Sequence, residues 1–190
     1  MRQTVRLEHA SRLVNHGPTV LATSAHGGRR NVMAAAWSMP VEFTPPRIAI
    51  VIDKRTFTRE LVAASGRFAV NLPGRALADL TYTVGNCSGR EVADKFARFR
   101  IASFDGPALG LPLVEGCVAW LECRLIPEPH AQDAYDTCFA EVVSAQADTR
   151  VFADGRWSFR ADNAELHTLH HLGGGAFAFS GPTLQARTLA

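Results

Sequence analysis

The chain of 190 residues predicts a single, mainly β domain with short helices, organised as an antiparallel barrel that is closed or partly closed. Short apolar runs recur between Gly- and Pro-containing turns, a pattern of small antiparallel barrels. Few stretches carry helix start and stop signals. No Gly-x-Gly-x-x-Gly follows a strand and no P-loop lysine motif occurs, which disfavours Rossmann and nucleotide-hydrolase architectures.

In chain order, Leu7 to Val14 reads as a short helix or lead-in that stops at Gly17-Pro18. Thr19 to Ala25 is a strand. His26 to Arg30 is a turn, because adjacent glycines permit positive φ. Asn31 to Ser38 is the returning strand of that hairpin, ending or lying at an edge near Pro40, which has no N–H for a ladder. Arg47 to Asp53 is almost continuously apolar and predicts a strand buried on both faces. Thr56 to Ser65 is a helix, with Thr56 or Thr58 as N-cap and Gly66 as its stop. Phe68 to Leu72 is a strand, Ala76 to Val84 a helix, and Gly85 to Arg90 and Gly106 to Pro112 are loops. Cys117 to Pro127 and Tyr135 to Ala147 are strands joined by a hairpin loop at His130 to Ala134. Asp154-Gly155-Arg156 and Gly173-Gly174-Gly175 are turns.

Twenty basic and 18 acidic residues leave a net charge of +2, which calls for no nucleic acid. No apolar run approaches the roughly 20 residues that span a bilayer, and the charged N-terminus lacks the apolar stretch of a signal peptide. The four cysteines form no C-x-x-C pair, which predicts free thiols in a cytoplasmic protein.

The Asn31 to Pro46 stretch is the most informative. Ala34, Ala35 and Ala36 lack the branched bulk that usually fills strand faces, so something flat can lie against the backbone. Trp37 then adds an aromatic, Ser38 a hydroxyl, and Pro40, Pro45 and Pro46 a rigid exit. The run Asn-x-Met-x-x-Ala-Trp-x-x-Pro-Val-x-Phe-x-Pro-Pro resembles the flavin reductase-like family, the flavoredoxin branch of the FMN-binding split barrels. Three further pieces follow in that family's order: Arg55 to Thr58, Gly66 to Pro73, and Gly85 to Arg90 with Asp94-Lys95-Phe96 beyond. The resemblance covers about residues 10 to 180.

It implies a split barrel that binds FMN tightly, takes electrons from NADH or NADPH, and delivers them to a flavin, a metal complex or a protein. A flavin-bearing electron carrier without its own nicotinamide turnover is the alternative. The residues it points to are Asn31, Met33, Ala34, Ala35, Ala36, Trp37 and Ser38 along the ring, and Arg55, Thr56 and Thr58 at the phosphate. Asn71 and Leu72 follow in the next strand. Ser88, Gly89, Arg90 and Lys95 are assigned to the ribityl chain and phosphate. A phosphate needs N–H groups at a helix start, hydroxyls and a cation, and Asp53 to Thr58 offers all three. No catalytic side chain is assigned, because the flavin carries the chemistry; His171 is the one candidate to meet the flavin or nicotinamide. A homodimer with the flavin near its interface is also implied. Glu42 stands where relatives commonly have Ser, and is expected to face solvent. His167, His170 and His171, with Glu165 upstream, offer metal-ligand spacing if helical, a rival reading.

Overall fold

A computed structural model describes residues 17–181 and 183–188; the expected helix over Leu7 to Val14 lies outside these. The strands of the main sheet are β1 (Val20–His26), β2 (Arg29–Ala35), β3 (Ser38–Phe43), β4 (Pro46–Val51), β5 (Arg67–Pro73), β8 (Cys117–Ile126) and β9 (Thr137–Ala147). Small pairs add β6 (Ser103–Asp105) with β7 (Pro112–Val114), β10 (Phe152–Ala153) with β11 (Arg156–Trp157), and β12 (Leu169–Gly173) with β13 (Ala176–Phe179). Four helices punctuate them: α1 (Phe57–Ser65), α2 (Ala78–Gly85), α3 (Lys95–Arg98) and α4 (Pro129–Tyr135).

The main sheet is antiparallel throughout, in the order β2-β1-β5-β8-β9-β4-β3. Its two outer strands are joined by only Ala36 and Trp37, and Val51 N–H donates to Trp37 O. The sheet therefore curls until its edges meet at that corner, a mainly β barrel split along one seam. Period-two alternation sorts the side chains. Val20, Ala22, Phe68, Val70, Cys123 and Ala140 turn inward to the core, joined by Val62 of α1. Leu21 and Val32 face the other way, beneath Val84 of α2 and Phe96 of α3. Burying each large apolar side chain contributes about 1.5–3 kcal/mol.

Local chemistry sets the turns. Gly27 and Gly28, with φ of 57° and 74°, make the two-residue β1–β2 turn. Thr56 caps α1 by accepting from Arg59 N–H at 3.2 Å, and Gly66 closes it at φ 67°. Glu122 is buried and accepts from the N–H groups of Ala108 and Leu109 at 2.8 Å each, pinning the 106–111 loop.

Several expectations are corrected. The strand expected over Asn31 to Ser38 ends at Ala35, and Ser38 begins β3, an edge strand that tolerates Pro40. The Arg47 end of β4 is exposed, and only Ala49 and Ile50 within it are buried. The helix expected over Ala76 to Val84 is a 3₁₀ turn, Arg75–Leu77, followed by α2. The expected loop at His130 to Ala134 is α4, started by Pro129, whose fixed φ suits a first helical position. His167 to His171 is not helical: His170 and His171 lie in β12, because the glycine turn folds this segment into a hairpin.

Candidate functional site

Among the described residues β2 pairs only with β1, which leaves its other edge without a strand partner. The Val32 carbonyl accepts from Lys95 Nζ at 2.9 Å rather than from a neighbouring strand. By the alternation of an antiparallel ladder, Ala34 turns its N–H and C=O to the same open edge. Three cavities line this edge and share lining residues. The first, about 490 Å³, lies between Asn31, the start of α1 and the 86–91 loop. The second, about 520 Å³, lies beside Trp37, Tyr135 and Asp136. The third, about 280 Å³, lies between α2 and the β12–β13 hairpin. Met33 and Asp53 border the first two; Gly85 and Asn86 border the first and third. Ala34, Ala35 and Ala36 form the wall common to the second and third.

The first cavity is the polar end. As the first residues of a helix, Phe57 and Thr58 have N–H groups without intrahelical acceptors. Thr56 Oγ1 donates to Asp53 O at 2.8 Å while capping Arg59. Thr58 is buried, and its Oγ1 accepts from Asn31 Nδ2 at 2.9 Å. Asn31 Oδ1 is buried with no hydrogen-bond partner among the described residues. Gly89 packs so closely that an added Cβ would fall 2.5 Å from both Asn31 Oδ1 and Phe57 Cδ1. Only glycine brings the loop this near the helix start. Lys95 is 1% exposed, and its Nζ donates to the carbonyls of Val32 and Val84, 2.9 Å each. Burial pushes its pKa below the usual lysine value, and neighbouring Cys87 opposes that shift. A buried ammonium whose partners are two carbonyls and a thiol favours an anion nearby.

Arg55 borders this cavity, but its guanidinium is turned onto Asp53, with Nε and Nη2 donating to the carboxylate. That fork holds the Asp53 carboxyl down at about 2. The Ser88 hydroxyl accepts from Arg90 N–H at 3.1 Å. Arg90 itself points away, donating to the Arg55 carbonyl and to Glu60 Oε2.

The groove thus gathers Asn31, Met33, Ala34, Ala35, Ala36, Trp37, Arg55, Thr56, Thr58, Ser88, Gly89, Lys95 and, at its far end, His171. It does not gather Asn71, Leu72, Ser38 or Arg90. Asn71 is fully buried: its Nδ2 donates to Leu21 O and Thr23 Oγ1, and its Oδ1 accepts from Val114 N–H, tying β1, β5 and β7 together. Leu72 packs into the core. Ser38 opens β3 opposite Ile50, outside the three cavities. Glu42 is exposed and caps Phe43 N–H. Sequence reasoning missed Thr81, Tyr82 and Asn86, which α2 and its C-terminal end present to the third cavity. The helical spacing of Thr81, Tyr82 and Gly85 on one face was the available signal.

The histidine cluster disperses. His167 is buried, with Nε2 2.9 Å from Arg160 O and Nδ1 against Ser180 O. The His171 ring packs on Phe177 at 5.3 Å. Among the described residues, no three His, Cys, Asp or Glu side chains are placed to hold a metal ion. The groove can seat a flat ligand that carries a phosphate at its α1 end.

Known proteins bear on this geometry. The model of a family described as flavin reductase like domain matches residues 11–162. The uncharacterised YddH protein of Escherichia coli K12 is 57% identical over 185 residues, spanning 96% of each chain. The crystal structure of an FMN-binding domain of a flavin reductases-like enzyme from Shewanella baltica is 43% identical, with TM-score 0.87 over 97% of each chain. Flavoredoxin of Desulfovibrio vulgaris (Miyazaki F) is 23% identical, with TM-score 0.80 over 98% of this chain and 97% of its own, a likeness of fold.

Proposed function

Since this chain belongs to the flavin reductase-like family, we propose that it is an oxidoreductase that binds FMN along β2. It takes electrons from NADH or NADPH and delivers them to a flavin, metal complex or protein. The observation that carries this reading is a convergence on the open edge of a small-residue strand. A helix N-terminus, a Ser-Gly loop and a buried ammonium meet there.

What the groove leaves unpaired supports the fit. The Phe57 and Thr58 N–H groups, the Ser88 hydroxyl proton and the Lys95 charge suit a phosphate. Arg55 joins them by releasing Asp53. Ala34, with its free N–H and C=O, suits the polar rim of the ring, and Ala35 and Ala36 leave the face room. Bound flavin supplies the two-electron chemistry; the chain orients it and limits water. Trp37 flanks the ring on one side and His171 on the other.

The same reading makes the chain a cytoplasmic homodimer that engages neither nucleic acid nor membrane. Its free cysteines support a reducing compartment. No helix of the described residues is long and apolar enough to cross a membrane.

The test is a visible absorption spectrum of purified protein, followed by anaerobic NADH and NADPH in separate cuvettes. We expect a flavin spectrum that bleaches with at least one nicotinamide. A colourless protein overturns the cofactor assignment. Bound flavin that neither nicotinamide bleaches leaves an electron carrier in place of the reductase.

A further inference from the structure

We propose that a fourth cavity, between the β1–β2 turn and residues 93–94, holds the ribose 2′-phosphate of NADPH, and that Arg29 and Arg30 thereby select NADPH over NADH. Its role as a selector in turnover rests on the flavin reading above; its capacity to bind a ribose 2′-phosphate does not.

The cavity, about 290 Å³, is lined by Ala25, Gly28, Arg29, Arg30, Ala93 and Asp94. It shares no lining residue with the three cavities of the flavin groove. Gly27 and Gly28 make the turn, so Arg29 and Arg30 open β2 side by side. Each guanidinium lies on an aromatic ring: Arg29 is 4.0 Å from the Phe57 centroid, and Arg30 is 4.4 Å from that of Phe96. Stacking holds a guanidinium by its face and leaves its N–H edge for an anion. Ala25, Gly28 and Ala93 contribute little bulk, which leaves the anion room.

The charge balance favours an anion. Arg29 is exposed and forms no ion pair with the described residues. Arg30 spends one N–H on Asp94, Nη2 to Oδ2 at 3.2 Å. Asp94 Oδ1 accepts from the N–H groups of Phe96 and Ala97, at 2.9 and 3.2 Å. Two guanidinium charges against one carboxylate leave the cavity net positive.

The same side chains name the ligand. A carboxylate that is free to accept suits the ribose 2′-OH of NADH, whereas an arginine suits the 2′-phosphate of NADPH. Asp94 already accepts three N–H bonds, while Arg29 keeps its planar fork to give. Position agrees. Asn31 and Lys95, next in the chain to Arg30 and Asp94, border the first cavity, so the fourth lies just beyond the phosphate seat. Five residues of β2 separate Arg29 from Ala34, about 17 Å at the rise of a strand. NADPH carries its nicotinamide and its 2′-phosphate at opposite ends, two riboses and a pyrophosphate apart, and extended along this edge it reaches both.

The test is calorimetric titration of the purified protein, at a flavin content read from absorbance, with 2′,5′-ADP and separately with 5′-ADP. These isomers carry the same two phosphates and differ in whether one sits at the 2′ position. We expect saturable binding of 2′,5′-ADP, tighter than that of 5′-ADP by about tenfold or more. Arg29→Ala and Arg30→Gln should each weaken it about tenfold, the loss of one charge-assisted contact. In turnover the KM for NADPH relative to that for NADH should rise by the same factor. No saturable binding, equal affinity for the two isomers, or 2′,5′-ADP affinity that both variants retain overturns the site. An Arg29→Ala protein that loses FMN but keeps 2′,5′-ADP assigns Arg29 to the flavin phosphate and overturns it as well. A colourless protein that still prefers 2′,5′-ADP removes only the flavin reading. A flavin-bearing protein that both nicotinamides bleach, without preference between the isomers, removes only this site.

Discussion

Asp53 and Arg55 sit two residues apart at the mouth of the first cavity, and their pairing sets the charge a ligand meets there. The Arg55 fork lowers the Asp53 carboxyl to about 2, so the carboxylate stays ionised at any working pH. The interaction is fully present above the usual carboxyl value of 3.8 and is lost as pH falls through about 2. In Arg55→Ala that window narrows, and Asp53 should titrate higher, with the residue-55 N–H and Lys54 still favouring its carboxylate, read by NMR of its side-chain carboxyl. The same variant leaves an unneutralised carboxylate beside the phosphate seat. FMN affinity should fall about tenfold or more, as expected when a charge-assisted contact is lost, and adding Asp53→Asn should recover part of it. Asn71 shows the limit of residue-level reading. The resemblance selected it as a ligand residue, yet its side-chain amide is consumed in joining β1, β5 and β7. Nothing in one-dimensional spacing distinguishes an amide facing a cavity from one facing a carbonyl.

At the scale of elements, α1 does two tasks from one cap. Thr56 Oγ1 accepts from Arg59 N–H and donates to Asp53 O, so it both starts the helix and fixes the turn that presents Arg55. Thr56→Val should therefore cost about 1 kcal/mol of stability, read as a lower urea midpoint with an unchanged slope, and FMN retention should fall with it. Elements with strong punctuation were legible. Thr56 and Gly66 bracketed α1, Gly27-Gly28 marked the first hairpin, and the low bulk of Ala34 to Ala36 marked the strand that lines the groove. Others were hidden for physical reasons. α4 is short and marginal alone, held by its position between β8 and β9, so its sequence reads as a turn. His167 to His171 satisfies helical spacing, but Gly173 to Gly175, all at positive φ, forces a hairpin that pairs His171 with Phe177. Thr81 and Tyr82 read as ordinary helix residues until β2 and the hairpin close a cavity around them.

At the scale of the whole molecule, the surface left uncovered is as informative as the groove. Among the described residues β3 has a single ladder partner, β4, which leaves its outer edge open to them. Around it, Trp37 is 52% exposed, Met39 61% and Phe43 92%. An edge strand carrying such residues invites pairing unless something covers it. The proposed homodimer supplies that cover, and Trp37 links it to function because the same residue borders the second cavity. Covering the β3 face would then also shelter that side of the ring from water. Phe43→Asp tests this, since Phe43 makes little contact within its own barrel and its replacement should leave the fold intact. A twofold interface counts the change twice, once on each protomer. Dissociation of the dimer should therefore strengthen about a hundredfold or more, and light scattering after gel filtration at micromolar concentration should report a monomer. FMN retention should drop in parallel, with the helix and sheet signals in circular dichroism unchanged. A Phe43→Asp protein that remains dimeric would move the interface away from β3, and a wild-type monomer that holds FMN firmly would remove the partner from the flavin site altogether.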